Sequence, residues 1–218
     1  MSEYSKTVTA SGAALLSELS QRVTQVQALV QQHVVERSLS KVHTKFAQLI
    51  LAAPSAVGSN NEVQSLLSVV TDEIAQLMSA IQLLQCWIQL HVPKVEDGNN
   101  FGVEVQKYAF VHLKESLEKW QKIWDSLSDY SSTRATAEGD EEKIVTAKVE
   151  KQSNAGSQAA EDAIAAVVAL DVKWYFNLVR ALEGVRDQYA VTEDVITKNK
   201  DKIELPRGKN DRAGFNMF

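Results

Sequence analysis

Apolar residues recur at spacings of three and four along most of the chain, which is the pattern of amphipathic α-helices. Four stretches carry such a stripe, and they are separated near Pro54, at residues 93–100 and in a polar stretch that ends near Ser157. The predicted helices span about 12–52, 60–92, 101–150 and 157–203. Because long helices with short connections pack as antiparallel neighbours, the sequence predicts an all-α, up-down-up-down four-helix bundle.

The fourth stripe is the clearest, since its apolar positions run from Ile164 to Ile203 and predict a helix roughly 60 Å long. Gly184 lies inside it, where glycine costs about 1 kcal/mol relative to alanine. Several apolar residues lie off the main stripes, namely Val105, Ile123, Val168 and Phe176. They fit either a second buried face against neighbouring subunits or a wider core, and periodicity favours neither.

Composition narrows the class of protein. With 218 residues, 44% of them hydrophobic and 23% charged, the chain has the balance of one folded domain. A net charge of −5 argues against nucleic acid or an anionic membrane as partner. Cys86 is the single cysteine, which indicates a reducing compartment, cytoplasmic or nuclear. The first residues lack the apolar core of a signal peptide, and we expect no membrane-spanning run.

Residues for catalysis or metal binding do not form a recognisable set in the sequence. None of His33, His43, His91 and His112 follows a glutamate by three residues, as di-metal bundles require. Cys86 lies beside Trp87 in an apolar stretch and is interpreted as a small core residue. The run "GNNFG" lacks the lysine of a phosphate-binding P-loop. We therefore predict no catalytic residue, no metal and no cofactor.

The break between the second and third helices, "HVPKVEDGNNFGVEVQ", is more polar than a turn requires. Pro93 ends one helix, and Gly98 and Asn99 tolerate left-handed backbone conformations. Asn99 or Asn100 can cap the next helix, and Glu104 favours its positive end. A polar cluster at a tight turn is typical of a surface that contacts another molecule.

This segment resembles a known family. The stretch "WIQLHVPKVEDGNNFGVEVQ", residues 87–106, is similar almost residue for residue to the activation loop and flanking helices of the 11S proteasome activators. A second stretch, "VRDQYAVTEDVITKNKDKIELPRG", residues 185–208, resembles the family near its C-terminus. The organisation in four helices resembles the family over the whole chain.

The resemblance implies a heptameric ring that caps the 20S proteasome α-subunits and opens the entrance without ATP. A homo-heptamer is predicted, and a ring that also needs a second type of subunit is the alternative. In the family an activation loop moves the gate-forming turns, and C-terminal tails insert between α-subunits. By position, the activation loop comprises Pro93, Lys94, Val95, Glu96, Asp97, Gly98, Asn99 and Asn100. Within the tail, residues 206–218, the proteasome-binding C-terminus comprises Phe215, Asn216, Met217 and Phe218.

Some positions depart from the family pattern. Lys94 stands where arginine is usual, Phe218 stands where tyrosine is usual, and the connection after the first helix is short. The segment at 131–157 also diverges. A different class of function, a helical-bundle scaffold or adaptor that binds an unrelated partner through the same loop, is the alternative.

Overall fold

The computed structural model describes residues 2–52, 60–138 and 158–208, and these form helices and connections without any strand. The helices in this part of the chain are α1 (Glu3–His33), α2 (Leu39–Ala52), α3 (Asn61–Leu90), α4 (Phe101–Leu127), α5 (Asp129–Glu138) and α6 (Gln158–Glu204). The predicted all-α class is confirmed. Pro54, the end predicted at residue 150 and residues 209–218 lie outside the described residues.

The first predicted helix was wrong in its bounds, since the chain is already helical at Glu3 and leaves the helix at 34–38. In this connection the Glu36 carboxylate accepts hydrogen bonds from the backbone N–H groups of Arg37 (2.9 Å) and Ser38 (2.8 Å). These bonds, the one from Ser38 foremost, hold the pKa of Glu36 below its usual range. A side chain that bonds its own backbone in this way competes with helical hydrogen bonds. Buried apolar residues lie on both sides of the break, at Val34 and Val42, and only Ser38 interrupts the spacing of four between them, so periodicity alone did not reveal the break.

The third predicted helix is also divided, because α4 ends at Leu127 and α5 begins at Asp129. The Ser128 hydroxyl donates to the carbonyl of Asp125 (3.1 Å) at this point. Such a local bond offers the backbone an alternative to continuing the helix. The last helix, α6, has 47 residues, the same number as the predicted span 157–203, from which it is shifted by one residue, and it is therefore about 70 Å long.

The described chain forms two compact units, and α1, α3, α4 and α6 contribute a segment to each. Unit 1 contains residues 2–27, 73–123 and 184–208, and unit 2 contains residues 28–72, 124–138 and 158–183. In unit 1, Gly12 lies against Trp87, and Arg22 is paired with Glu73 at 2.7 Å, so α1 and α3 are antiparallel. This direction confirms the predicted up-down order for these helices.

In unit 1 α4 and α6 also run antiparallel, and Gly184 lies at their contact. The indole Nε1 of Trp120 donates to Gln188 Oε1 at 3.4 Å, and the ring rests over Gly184. A Cβ on Gly184 would lie 3.2 Å from the ring carbon Cη2 of Trp120. The helix-interior glycine therefore provides room for a buried tryptophan, which offsets the cost of its poor helix propensity.

A buried polar cluster lies in the core of unit 2. Asp171 of α6 is fully buried and accepts hydrogen bonds from Tyr130 Oη (2.9 Å), Arg134 Nε (2.9 Å) and Arg134 Nη2 (3.3 Å). Asn60 donates to the same carboxylate at 3.2 Å, and its Oδ1 accepts the N–H groups of the first turn of α3. Burial, together with the Asp171 carboxylate, raises the pKa of the Tyr130 phenol, so this group stays a neutral donor.

Among the described helices, α3 is long and apolar enough to cross a membrane by length and composition, contrary to the expectation from the sequence. The core helix of a globular bundle passes the same test, because it too presents many apolar residues. In this protein one face of α3 is packed inside, and its buried residues are Val63, Leu66, Val70, Ile74, Leu77, Ile81, Leu84, Trp87 and Ile88. Other apolar residues of α3, namely Leu67, Val69, Met78, Leu83 and Leu90, are half-buried.

The apolar residues outside the main stripes differ in how deeply they are buried. Val168 is 1% exposed and widens the core, whereas Val105, Ile123 and Phe176 are half-buried. The Phe176 ring packs edge-on against Tyr175 with 5.3 Å between centroids. The wider-core interpretation therefore holds for Val168, and the other three retain some accessible apolar surface.

Candidate functional site

The 93–100 loop begins where α3 ends, in unit 1. The last turn tightens, with the backbone N–H of His91 bonded to the carbonyl of Ile88 (3.0 Å) and that of Val92 to Gln89 (3.2 Å). Pro93 then excludes further helix because it lacks a backbone N–H. It is half-buried, whereas residues 94–100 are all exposed. The loop thus presents seven consecutive accessible residues.

The second half of the loop is shaped by glycine and asparagine, as the sequence suggested. Gly98 has a φ of 127°, a backbone conformation that L-residues rarely adopt. The Asn99 side-chain Oδ1 accepts the N–H of Phe101 at 3.0 Å, and the Asn100 carbonyl accepts the N–H of Glu104 at 3.0 Å. The capping side chain is therefore Asn99, and the first helical bond of α4 starts at Asn100.

Gln106, on α4, joins the ends of two other helices below the loop. Its side-chain Nε2 donates to the carbonyl of His91 at 2.9 Å and to that of Ile203 at 2.7 Å, and the residue is 1% exposed. Terminal carbonyls of a helix have no partner within the helix, so one amide satisfies an acceptor at the end of α3 and another at the end of α6. Gln106 thus fixes the base of the 93–100 loop.

The backbone of α4 also touches the turn that follows α6. A Cβ built on Gly102 would lie 2.1 Å from the carbonyl oxygen and 2.4 Å from the Cα of Pro206. Only a residue without a side chain permits this approach. The turn at residues 205–208 is therefore packed directly against the first turn of α4.

Arg207 extends from this turn to the loop itself. Its guanidinium Nη1 donates to Glu96 Oε2 at 2.6 Å, and Nη2 donates to the carbonyls of Lys94 (2.8 Å) and Glu96 (3.3 Å). The Arg207 side chain is 18% exposed, whereas that of Glu96 is 57% exposed. The loop is thus bound at its first half by arginine and at its second half by the Asn99 cap.

The eight predicted loop residues form one segment, in which Pro93 is half-buried and residues 94–100 are exposed. The predicted tail residues Phe215, Asn216, Met217 and Phe218 lie outside the described residues. Three residues that hold the loop were not predicted as site residues, namely Gly102, Gln106 and Arg207. All three fall in the two stretches that carry the resemblance, so that resemblance was the available signal. Their role depends on contacts between distant segments, which spacing cannot show.

Comparison with known families identifies the chain. The model of the family described as "Proteasome activator PA28, C-terminal" matches residues 56–213, which includes the 93–100 loop and the residues that anchor it. The chain belongs to the PA28 proteasome activator family. Among its curated relatives are the human and mouse proteins named proteasome activator complex subunit 3, each 32% identical over 152 residues. That match covers 70% of this chain and 55% of each PA28 relative, so the chain spans about half of their length.

Solved structures related to the PA28 family have the same fold. The 11S subunit PA28 of the Plasmodium falciparum proteasome matches with a TM-score of 0.65 at 23% identity, covering 94% of this chain and 93% of that one. PA26 from Trypanosome brucei, in a complex with the yeast 20S proteasome, matches with a TM-score of 0.59 at 10% identity, covering 95% and 89%. At these identities the likeness concerns the fold.

Proposed function

We propose that this chain activates the 20S proteasome without ATP, through binding energy and without a catalytic site of its own. The observation that carries the proposal is the 93–100 loop, which is exposed from Lys94 to Asn100 yet held at its base by side chains from α4 and from the 205–208 turn. A contact surface that is ordered before binding loses less conformational entropy on association. Such a loop is suited to displacing a gate rather than adapting to it.

The loop residues divide into two proposed roles. Asp97 and Asn100 are exposed and are proposed to contact the α-subunits, while Pro93 and Gly98 fix the course of the backbone. Asn99 is proposed to contact the α-subunits and also caps α4 through Oδ1, so its substitution would affect both contact and loop shape. The carboxylate of Asp97 and the amides of Asn99 and Asn100 offer hydrogen-bonding groups that can pair with backbone and polar groups of an exposed turn on an α-subunit.

We further propose that the C-terminal residues Phe215, Asn216, Met217 and Phe218 dock between α-subunits. A terminal carboxylate paired with a lysine forms a charge-assisted hydrogen bond, which is weak for one tail. Once one tail of a ring has docked, the other tails are held near their own pockets at a high effective concentration. The ring as a whole therefore binds the proteasome tightly although each tail binds weakly. The proposed assembly is a homo-heptamer of this chain.

Exposed apolar side chains on α4 support the proposed self-association. Tyr108 is 62% exposed and Val111 is 40% exposed, and three residues apart on a helix they share one face. Exposed apolar groups of this kind are typical of surfaces that another protein covers. The proposed partner is a second copy of the chain.

Replacing Tyr108 by lysine is expected to reduce the assembled mass, because a charge placed in a buried contact loses its hydration. Sedimentation velocity at a fixed concentration measures the change. Glu118→Lys is the control, since Glu118 is 60% exposed and contacts Lys114 on the same helix. If Tyr108→Lys sediments like the unmodified chain, this face of α4 is not the contact between copies.

The proposed function is tested by hydrolysis of a fluorogenic peptide by latent 20S proteasome of the same source, with and without the chain, in the absence of ATP. We expect strong stimulation that disappears when Phe218 is deleted, because the docking carboxylate is then displaced. Met217→Ala is the matched control and is expected to keep most of the stimulation, since the proposed contacts are those of main chain and carboxylate. A chain that is monomeric and gives no stimulation would instead fit a scaffold or adaptor.

The compartment is also a proposal. A single cysteine in 218 residues favours a reducing environment, cytoplasmic or nuclear. Fractionation of cells followed by detection of the native chain checks it, and recovery in an oxidising compartment would contradict it.

A further inference from the structure

Arg207 makes more contacts with the 93–100 loop than an exposed surface arginine ordinarily would. One guanidinium reaches two backbone carbonyls, those of Lys94 and Glu96, and in addition the Glu96 carboxylate. The planar, five-donor fork of arginine can satisfy acceptors in two directions at once, whereas a lysine ammonium is a single point of charge. Arg207 and Glu96 are 111 positions apart in the sequence, which makes this a long-range contact.

Among the described residues, few others hold the first half of the loop in place. Residues 94–100 have no regular secondary structure, and Val95 is 94% exposed, so the apolar side chain of this segment does not pack against the bundle. Exposed backbone without helix or sheet bonds opens at low free energy. The bonds from Arg207 therefore have a large share in setting the position of Lys94 and Glu96.

The backbone of Arg207 is itself fixed from behind. The N–H of Leu205 bonds to the carbonyl of Asp201 (2.9 Å), and the N–H of Gly208 bonds to that of Leu205 (3.1 Å). Gly208 has a φ of 78°, and Pro206 is packed on Gly102 of α4. The turn is thus a rigid support from which the guanidinium extends to the loop.

The same turn is the segment from which the chain continues into residues 209–218. In the proposed function the tail that follows this turn docks on the proteasome, and the side chain of Arg207 links the same turn to the loop. Because the loop and the proposed tail are both attached to the 205–208 turn, the turn restricts how they move relative to each other. Less conformational entropy is then lost when both bind the proteasome together.

We propose that Arg207 is a positioning residue for gate opening: it holds the 93–100 loop in the shape that acts on the proteasome and ties that shape to the turn that precedes the tail. The inference rests on the proposed function. Arg207 itself acts through Lys94 and Glu96. Neither Arg207 nor Glu96 belongs to the buried core, and a pair whose carboxylate is 57% exposed adds little to global stability, so its loss is expected to leave the bundle folded.

The first experiment needs no proteasome. Amide hydrogen exchange of the assembled full chain is compared with that of Arg207→Gln, which keeps a polar side chain but removes the charge, the guanidinium fork and its reach to the loop. We expect faster exchange confined to the peptide covering 92–101, with exchange elsewhere in unit 1 unchanged. Lys200→Gln is the matched control, because it removes a cation near the end of α6 that pairs only at 3.9 Å with Glu204. Equal exchange in the loop of Arg207→Gln and the unmodified chain would overturn the inference.

The second experiment separates gate opening from tail docking. Hydrolysis of a peptide by the 20S proteasome is measured at increasing concentrations of the unmodified chain, of Arg207→Gln and of the control Lys200→Gln. Each series gives the maximal stimulation and the activator concentration at which half of it is reached. For Arg207→Gln we expect maximal stimulation to fall by about tenfold, equivalent to about 1.4 kcal/mol, with the half-maximal concentration nearly unchanged. Arg207→Lys is expected to recover only part of the loss, since an ammonium cannot reach all three acceptors.

The outcomes distinguish the two proposals. If the unmodified chain does not stimulate the proteasome, the proposed function fails and the positioning role fails with it. If the unmodified chain stimulates and Arg207→Gln stimulates equally, only the positioning role is overturned. If Arg207→Gln does not fold, Arg207→Lys provides the same comparison of loop exchange and maximal stimulation.

Discussion

Asp171→Ala is expected to lower the free energy of unfolding by about 3–5 kcal/mol, the range observed when one member of a buried ion pair is removed. Asp171 is fully buried and accepts from Tyr130, Arg134 and Asn60. The substitution deprives a 5%-exposed Arg134 of this carboxylate and leaves the buried Tyr130 hydroxyl without its acceptor. Because total stability is typically only about 5–15 kcal/mol, such a loss is large.

Urea unfolding followed by circular dichroism measures this effect. Asp194→Ala on the same helix is the control, because its pair with Lys198 at 2.7 Å is 57% and 70% exposed and such pairs contribute at most about 1 kcal/mol. Tyr130→Phe separates the contribution of the hydroxyl from that of the charge. Equal midpoints for Asp171→Ala and the unmodified chain would show that the cluster does not stabilise unit 2.

Gly102→Ala is expected to have the second large effect, on function more than on folding. The added Cβ would lie 2.1 Å from the Pro206 carbonyl oxygen, far closer than van der Waals contact allows, and the obstacle is backbone. Overpacking of this kind typically costs about 1–3 kcal/mol. The 205–208 turn must move, and since Arg207 carries its contacts with the loop, we expect maximal stimulation of the proteasome to be lost with it.

Peptide hydrolysis by 20S proteasome and thermal unfolding are measured together for this variant. Gly184→Ala is the matched control, because it makes the same change inside a helix and meets only the Trp120 side chain at 3.2 Å. It is expected to stay within about 1 kcal/mol of the unmodified chain, since the gain in helix propensity opposes the tight contact. Full stimulation by Gly102→Ala would show that the turn and α4 are not in rigid contact.

Some features of the site follow from local sequence. Pro93 prevents continuation of α3, Gly98 adopts a φ of 127°, and Asn99 caps α4. Each depends on the conformational preferences of one residue and its neighbours, so the position and shape of the loop could be predicted. The bundle could be predicted for a related reason, since apolar spacing of three and four defines the buried face of each helix.

Other features depend on contacts between segments far apart in the chain. The helix break at 34–38 interrupts the apolar stripe at a single position, Ser38, and the buried Val34 and Val42 on either side still fit the spacing of one helix. Asp171 in α6 gives no sign in the sequence that it would be buried, because burial of a carboxylate requires partners that come from α5 and from the start of α3.

The sequence by itself determined the all-α bundle, the place of the loop and the residues that turn its backbone. Only the tertiary structure decided what holds the loop: Gln106 between two helix ends, Gly102 against Pro206, and Arg207 on Glu96. Local preferences act within a few residues, whereas each of these contacts joins α4 or the loop to the end of α6. The chain has several arginines and glycines, and the packing of the helices decides that Arg207 is the one that contacts the loop and Gly102 the one that contacts Pro206.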